Sequence, residues 1–153
     1  MTADDGEGVR GGATEGVTGG CLCGAVRYRV TGRLRDVMNC HCSQCRRMHG
    51  HFAAYAAARQ RDLVFLRQDD LAWYGSSPHA RRGFCRVCGS SLFWQPTAFD
   101  YIAVAAGSID PPSGLKTRGH IYVADKGDYY EIEDGLAQFP AGADANMRQD
   151  GLG

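Results

Sequence analysis

The seven cysteines of this chain are its most chemically suggestive residues, and all of them fall into three short clusters. The clusters are C-x-C at Cys21 and Cys23, C-H-C-S-Q-C at residues 40–45, and C-x-x-C-G at residues 85–89. In a C-x-C on a strand both side chains point to one face, and a glycine after C-x-x-C lets backbone amides turn toward the sulfurs. Because thiolates are soft ligands that suit Zn²⁺, this spacing predicts metal binding.

The number of cysteines predicts two metal sites of different kinds. A closed site of four thiolates leaves three cysteines over, and a zinc with three protein ligands keeps one position open for chemistry. One local loop could present Cys40, Cys42 and Cys45 together, while the two outlying pairs would join distant parts of the chain. The rival arrangement is a zinc ribbon made of Cys42, Cys45, Cys85 and Cys88, which leaves the remaining three cysteines without a role.

Two other interpretations of the cysteines are weaker. Buried free thiols are common in protein cores, but random burial does not produce three tight clusters. Redox-active C-x-x-C pairs normally occur in a βαβ context, which this sequence lacks. Metal binding therefore remains the favoured hypothesis.

Charged and histidine residues near the second cluster are further candidates. A zinc with three thiolates carries net negative charge, so Arg46 and Arg47 are predicted to offset it and to bind an anionic ligand. His49 and His51 could supply a fourth ligand or transfer a proton, although each is more often an ordinary surface or core residue. His41 lies between two ligands, so on an extended segment its side chain points away from them.

The elements that must position these residues are short and β-like. Gly, Pro, Asp and Ser clusters separate alternating or aromatic runs, which is typical of a small all-β domain. Strands are predicted at residues 25–30, 63–66, 71–74, 92–94, 101–106, 120–123 and 129–132. Residues 43–48 could form a helical turn, and the alanine-rich residues 53–58 fit either a helix or a buried strand.

Composition limits the remaining possibilities. The chain has 153 residues, one domain by length, and its formal net charge of zero lacks the basic footprint of a nucleic-acid binder. We predict disordered tails at residues 1–18 and 140–153 around a folded domain at residues 19–139. No apolar run is long enough to span a membrane and the N-terminus has no signal-peptide pattern, so a reducing cytoplasmic location is expected.

Three motifs in order resemble a known family. They are C-L-C-G at residues 21–24, C-H-C-S-Q-C-R at residues 40–46 and F-C-R-V-C-G at residues 84–89. They resemble the glutathione-dependent formaldehyde-activating enzyme family, which also includes centromere protein V. The later segments G-S-I-D at residues 107–110 and H-I-Y-V at residues 120–123 are similar to that family too.

The resemblance implies an all-β, β-tent fold of small antiparallel sheets held by zinc. It implies two Zn²⁺ ions per chain, a catalytic one at Cys40, Cys42 and Cys45 and a structural one at Cys21, Cys23, Cys85 and Cys88. The implied activity is that of a carbon–sulfur lyase, S-(hydroxymethyl)glutathione synthase-like, whose partners are a small-molecule thiol such as glutathione and an aldehyde such as formaldehyde.

The sequence also suggests why thiol chemistry would suit such a site. Three thiolates donate much charge to zinc and acidify a bound water only weakly, whereas a substrate thiol binds zinc readily. The alternative is a non-catalytic, zinc-stabilised binding module of the same fold, in which His49 or His51 closes the second site. A methionine sulfoxide reductase would need a reactive cysteine outside the metal sites, and all seven are already assigned.

Overall fold

A computed structural model describes residues 16–143, and they form two β-sheets with one short α-helix. The helix, α1, is Ser43–His49. The eleven strands are β1 Val17–Gly20, β2 Arg27–Val30, β3 Arg35–Cys40, β4 Ala53–Arg59, β5 Leu63–Arg67, β6 Leu71–Ser77, β7 Ala80–Cys85, β8 Ser91–Pro96, β9 Tyr101–Ala105, β10 Thr117–Ile121 and β11 Ala137–Gln138. Single 3₁₀ turns occur at Gln60–Asp62, Ala106–Ser108 and Val123–Asp125.

The smaller sheet has three strands in the order β1-β2-β5, and both of its pairings are antiparallel. The larger sheet has eight strands in the order β11-β10-β3-β4-β9-β8-β7-β6. Five of its pairings, from β3 through to β6, are antiparallel, whereas β10 runs parallel to both β3 and β11. The all-β architecture predicted from the sequence is confirmed, with a larger main sheet than the short runs suggested.

The core lies between the two sheets. Side chains that alternate along each strand point to opposite faces, so one face of the large sheet contributes a buried set to this core. That set includes Ala56, Ala58, Ile102, Val104 and Phe93, and it packs against Tyr28 and Val30 of the small sheet and against Val26, which directly precedes β2. The Tyr28 ring meets the Phe93 ring edge-on at a centroid distance of 5.2 Å.

The opposite face of the large sheet carries a second, smaller cluster that contains cysteines. Its buried members are Cys40, Cys45, Ala53, Tyr55 and Ala103. Partly buried Trp94 and Ile121 pack against it. The same alternation that builds the core therefore presents one set of strand residues to the candidate site.

Most predicted strands coincide with observed ones, but residues 129–132 form no strand. The rings of Tyr129 and Tyr130 instead pack against the His51 ring, so the aromatic run reflects packing between side chains and not strand pairing. The ambiguous residues 53–58 belong to β4, where small alanines sit buried between β3 and β9. The helical turn predicted at residues 43–48 is confirmed as α1.

The domain boundaries need correction at both ends. Val17 and Thr18, predicted to be tail, belong to β1 and pair with Val30 and Arg29 of β2. Backbone pairing of this kind orders even a glycine-rich segment. At the other end, the chain stays ordered to residue 143: the Tyr122 N–H donates to the Ala141 carbonyl, and Ala143 is buried. The rest of the predicted tails, residues 1–15 and 144–153, lies outside the described residues.

None of the helices found in residues 16–143 combines the length and apolar character needed to cross a bilayer.

Candidate functional site

Two groups of cysteine sulfurs come together in the structure, and they divide the seven cysteines four and three. In each group the ligand atoms all lie within 4.8 Å of one another. The groups are Cys21, Cys23, Cys85 and Cys88, and Cys40, Cys42 and Cys45. This division is the one favoured from spacing, and it excludes the ribbon that would combine Cys42 and Cys45 with Cys85 and Cys88.

The four-cysteine group joins two turns that are far apart in the chain. Cys21 and Cys23 lie in the turn between β1 and β2, and their sulfurs are 3.6 Å apart. Cys85 ends β7, and its sulfur is 3.8 Å from that of Cys23. Both turns use a glycine with positive φ, Gly24 at 82° and Gly89 at 79°, a conformation that glycine adopts without strain.

Hydrogen-bond donors surround these sulfurs in a way that suits thiolates. The Val26 amide donates to the Cys21 sulfur at 3.2 Å, and the Ser90 hydroxyl lies 3.2 Å from the Cys88 sulfur. The hydrogen bond from Ser90 lowers the pKa of the Cys88 thiol to about 5. Donors directed at sulfur stabilise its anionic form, which is the form that binds metal.

The three-cysteine group is built by the end of β3 and the start of α1. Cys40 is the last residue of β3, and Cys42 is the N-cap of α1, where its sulfur accepts a hydrogen bond from the Cys45 amide at 3.3 Å. Cys45 lies one helical turn later and is buried. Gly50 ends the helix in the left-handed conformation, so only a short helix is inserted before β4.

The donor set of this group fits a divalent metal ion. Its thiols are so close that hydrogen bonds from Cys40 and Cys45 lower the pKa of Cys42 to about 2, while hydrogen bonds with Cys42 and Cys45 raise the pKa of Cys40. One thiolate at this point therefore opposes ionisation of the next, and all three can ionise together only beside a cation. Both cysteine groups could hold metal ions, and thiolate ligands of this kind suit zinc.

A cavity of about 440 Å³ opens beside the three-cysteine group. All three cysteines of the group contribute to the cavity wall. Aromatic and apolar side chains form much of the remaining lining, including Trp94, Tyr101, Phe99, Met38 and Ile121. Two arginines, Arg35 and Arg82, are the cations in this lining. The cavity is large enough for a ligand of small-peptide size and combines apolar walls with positive charge.

Arg82 is the cation that contacts the three-cysteine group, and the sequence analysis missed it. It lies on β7, is 4% exposed, and its guanidinium nitrogen Nη2 is 3.5 Å from the Cys45 sulfur. The same nitrogen donates to Gln44 Oε1 at 2.9 Å. Burial acts to lower the pKa of Arg82, but the hydrogen bond to Cys45 and the nearby thiolate charge outweigh it and raise the pKa.

The arginines predicted from sequence lie elsewhere. Arg46 and Arg47 are on α1 but do not belong to the cavity lining; Arg47 is exposed, and the charge of Arg46 acts on the Tyr130 phenol. Arg82 had no local signal because it is distant in sequence from Cys45 and meets it only through the pairing of β7, β8, β9 and β4. A role for Arg46 and Arg47 in ligand binding stays a prediction.

The candidate histidine ligands are engaged by tyrosines. His49 Nε2 is 3.0 Å from the Tyr55 hydroxyl, and His51 Nδ1 is 2.5 Å from the Tyr129 hydroxyl. Within residues 16–143, no histidine, aspartate or glutamate comes within ligand distance of all three sulfurs of the Cys40, Cys42 and Cys45 group. The geometry therefore leaves this group with three protein ligands.

His41 lies between Cys40 and Cys42, and its side chain forms hydrogen bonds that hold this part of the chain in place. It is 1% exposed; its Nδ1 pairs with the Tyr130 hydroxyl, and its Nε2 is 2.9 Å from His120 Nδ1. His120 Nε2 in turn is 2.7 Å from Asp134 Oδ2. Burial, followed by the charge of His120, lowers the pKa of His41 to about 4. As expected from the C-H-C spacing, the ring points away from the sulfurs and anchors the backbone between them.

Fold and site together define a class: mostly β proteins with two cysteine groups that could hold metal ions, one of them facing a cavity. The family model described as glutathione-dependent formaldehyde-activating enzyme matches residues 16–125, and the chain belongs to this family. That match begins at the start of the described residues and includes every cysteine.

Individual relatives agree with this assignment. A Halomonas elongata protein named for the same family is 31% identical over 129 residues, which cover 75% of this chain and 80% of that protein. A Schizosaccharomyces pombe protein named as an uncharacterised lyase is 29% identical over 123 residues, 79% of this chain and 88% of that protein. A crystal structure of a Rhodobacter sphaeroides protein matches with a TM-score of 0.53 at 26% identity and covers 80% of this chain and 98% of that one.

Proposed function

We propose that the protein is a zinc-dependent enzyme of the carbon–sulfur lyase type that adds a thiol such as glutathione to formaldehyde or a related aldehyde, or releases it. The observation that carries this proposal is the position of Cys40, Cys42 and Cys45 on the wall of a cavity of about 440 Å³. A group that only stabilised the fold would have no need of such a cavity. Family membership and the lyase name of the Schizosaccharomyces pombe relative support an enzyme.

The two metal groups would have different roles. The cysteines at positions 21, 23, 85 and 88 would hold a structural zinc, because four thiolates leave no position for a substrate. Cys40, Cys42 and Cys45 would hold a second zinc, which when bound supplies a Lewis acid that favours the thiolate form of a substrate thiol. The free thiols of all seven cysteines fit the reducing cytoplasm as the location.

The residues of this chain would prepare the reaction by binding and orientation. Arg82, already bonded to Gln44 and Cys45, holds a fixed positive charge beside the Cys45 sulfur and would stabilise negative charge that develops on the aldehyde oxygen. Trp94 and Tyr101 supply apolar walls that exclude water from the reacting groups. The new bond joins the thiolate sulfur to the aldehyde carbon as the carbonyl π bond breaks, and the carbonyl oxygen takes up one proton in place of the one that the thiol lost, so the product is a hemithioacetal.

The binding-module alternative is less well supported by the contacts. It requires a fourth ligand that closes the second site, and His49 and His51, the two candidates, are paired with Tyr55 and Tyr129.

Glutathione-dependent consumption of formaldehyde tests the proposal directly. The zinc-loaded wild-type protein should accelerate loss of formaldehyde in the presence of glutathione. Cys42→Ala should abolish this acceleration while the thermal melt stays cooperative. Ser43→Ala is the matched control, since Ser43 is the exposed neighbour of Cys42 and should leave the rate unchanged. A rate in Cys42→Ala equal to that of the wild type would refute the assigned site.

A further inference from the structure

Arg35 is a buried arginine that forms no ion pair within residues 16–143. It begins β3, is 7% exposed and contributes to the wall of the cavity beside the three-cysteine group. Its Nε is buried without a hydrogen bond, and no carboxylate of residues 16–143 forms an ion pair with it. Burying a guanidinium without a counter-charge is costly, so such a side chain facing a cavity points to an anionic group on the ligand.

A β-bulge in β3 turns the Arg35 side chain toward the cavity. In the pairing of β3 with β4, Arg35 opposes Ala57 and Met38 opposes Tyr55, so β3 contains one more residue than β4 over this stretch. In a regular strand Arg35 would face away from Met38 and Cys40, because their separations in sequence are odd. The extra residue brings all three side chains to the cavity, a use of bulges that is common near active sites.

Arg82, the second arginine of the cavity, differs from Arg35 because it already has hydrogen-bond partners in the protein. Arg82 donates to Gln44, Tyr55 and Cys45, so its charge serves the three-cysteine group. Burial lowers the pKa of Arg35 and the positive charge of Arg118 acts in the same direction, and together they outweigh the opposite effects of Tyr101 and Asp36. A bound anion would oppose both effects. The division of roles therefore assigns the available guanidinium, that of Arg35, to substrate.

We propose that Arg35 binds a carboxylate of the thiol substrate and selects thiols that carry a carboxylate over neutral ones. This inference rests on the function proposed above and names the residue that sets its substrate class. Arginine and carboxylate form a bidentate pair, which fixes orientation as well as charge. The substrate would then be held at two points, its sulfur at the three-cysteine group and its carboxylate at Arg35.

The spacing of these two points favours a thiol whose carboxylate lies some distance from its sulfur. On β4 the partners of Arg35 and Cys40 are Ala57 and Ala53, so the two backbones lie about 13 Å apart along the sheet. The arginine side chain covers part of that distance. A short thiol peptide such as glutathione, whose carboxylates lie several bonds from the sulfur, matches the separation.

The test compares two thiols on two variants of the zinc-loaded protein. Arg35→Met, which preserves side-chain length, should weaken glutathione binding in calorimetry about ten- to hundredfold and raise the KM for glutathione similarly. The KM for 2-mercaptoethanol, which is neutral, should stay within twofold. Arg33→Met is the matched control, because Arg33 is exposed in the preceding loop and should change neither thiol.

A structural role for Arg35 would give different results. Loss of a structural arginine should lower the melting temperature and impair both thiols equally, whereas we expect Arg35→Met to melt at or above the wild-type temperature, since it removes an unpaired buried charge. Glutathione with both carboxylates esterified tests the same contact on the wild type, and its binding should be weakened to a similar degree even if the variant does not fold.

These measurements distinguish a failure of the Arg35 proposal from a failure of the proposed reaction. Equal losses for both thiols in Arg35→Met, or wild-type affinity for the esterified glutathione, would overturn the role of Arg35 and leave the enzyme assignment intact. Calorimetric binding of glutathione that depends on Arg35, without any aldehyde consumption, would instead support the carboxylate contact and refute the proposed reaction. Absence of glutathione binding to the wild type would refute the Arg35 inference.

Discussion

At the scale of single residues, the site combines side chains with strong local signals and side chains with none. The cysteine clusters are local, and their C-x-C and C-x-x-C spacings were enough to predict both groups. Arg82 reaches the site only through strand pairing, and Arg35 faces the cavity only because of the bulge in β3, so no local motif marks either residue. The charge argument that selected Arg46 and Arg47 required positive neighbours for three thiolates, and Arg82 is the residue found in that position.

Arg82 should therefore matter more than other arginines nearby. We expect Arg82→Gln to reduce glutathione-dependent formaldehyde consumption about tenfold or more, because it removes a charged donor at Cys45. Steady-state rates for the zinc-loaded protein measure this effect. Arg81→Gln is the control, since Arg81 points outward to Gln95 and stacks on Trp73. Simultaneous Arg46→Ala and Arg47→Ala changes that cost as much as Arg82→Gln would favour the sequence-based assignment instead.

A variant of His49 distinguishes an open metal site at Cys40, Cys42 and Cys45 from a site that a histidine closes. Because its ring is bonded to the Tyr55 hydroxyl, His49→Gln should leave the zinc content of the isolated protein unchanged. Elemental analysis of wild type and variant, purified under the same reducing conditions, measures this directly. Loss of one zinc equivalent per chain would show that His49 completes the second site, as the binding-module hypothesis requires.

At the scale of elements, the four-cysteine group clamps the turn between β1 and β2 to the turn between β7 and β8. The sulfurs of Cys23 and Cys85 meet across a sequence separation of 62 residues. A metal here closes a long loop, whereas the Cys40, Cys42 and Cys45 group closes only a local one. Structural zinc contributes about 10–16 kcal/mol in small domains, which is comparable to the whole stability of such a domain.

Loss of a ligand should thus have unequal effects at the two groups. Cys85→Ser is expected to abolish the cooperative thermal transition, and Cys45→Ser should lower the melting temperature by only several degrees. Thermal melts of the two variants, monitored by circular dichroism, make the comparison with matched chemical changes at two buried cysteines. Similar losses in both variants would contradict the separate structural and catalytic roles.

A second link between elements is the contact of β1 and β2 with Asp110. Asp110 accepts from Thr18 at 2.7 Å and pairs with Arg27 at 2.5 Å. Hydrogen bonding from Arg27, then from Thr18, lowers the pKa of Asp110 below its usual range. A depressed carboxyl pKa stabilises the fold above the unfolded-state pKa of about 4, and this contribution is lost as the pH falls through the lower, folded-state value.

Asp110→Asn should reveal this contribution through its pH dependence. At pH 7 we expect a loss of about 0.5–1 kcal/mol in unfolding free energy, modest because both side chains are partly exposed. The difference from wild type should narrow as the pH falls below about 4. Urea unfolding at several pH values measures it, with exposed Asp69→Asn as the control. A difference that stays constant down to pH 2 would exclude the carboxylate as its source.

How well elements could be predicted depended on what each strand carries. Apolar and aromatic runs such as Tyr101–Ala105 were recognisable, because their alternation reflects burial. Arg35–Cys40 and Ala80–Cys85 were not, because each carries a buried arginine, Arg35 or Arg82, that faces the cavity instead of solvent, which masks the usual pattern. The bulge in β3 is likewise invisible in sequence, since it depends on register with β4.

At the scale of the whole molecule, metal loading changes the net charge. The formal charge of zero counts all cysteines as neutral. Two Zn²⁺ ions contribute four positive charges and seven thiolates contribute seven negative ones, so the fully loaded protein should carry a formal charge of minus three. Native mass spectrometry should find two zinc ions per chain, with ligand protons displaced, and chelation should slow migration toward the anode. A single zinc in the wild type, with no charge change on adding more, would contradict the two-site account.

The central claim is that Cys40, Cys42 and Cys45 form an open metal site that accepts a thiol, and cobalt substitution tests it most directly. Co²⁺ in both groups gives visible absorption that depends on ligand number and type. Glutathione should change this absorption saturably in the wild type, and the change should be absent in Cys42→Ala, while the signal from the four-cysteine group stays constant. A spectrum that does not respond to saturating glutathione, with the signature of three sulfurs and one nitrogen at the second site, would contradict the account.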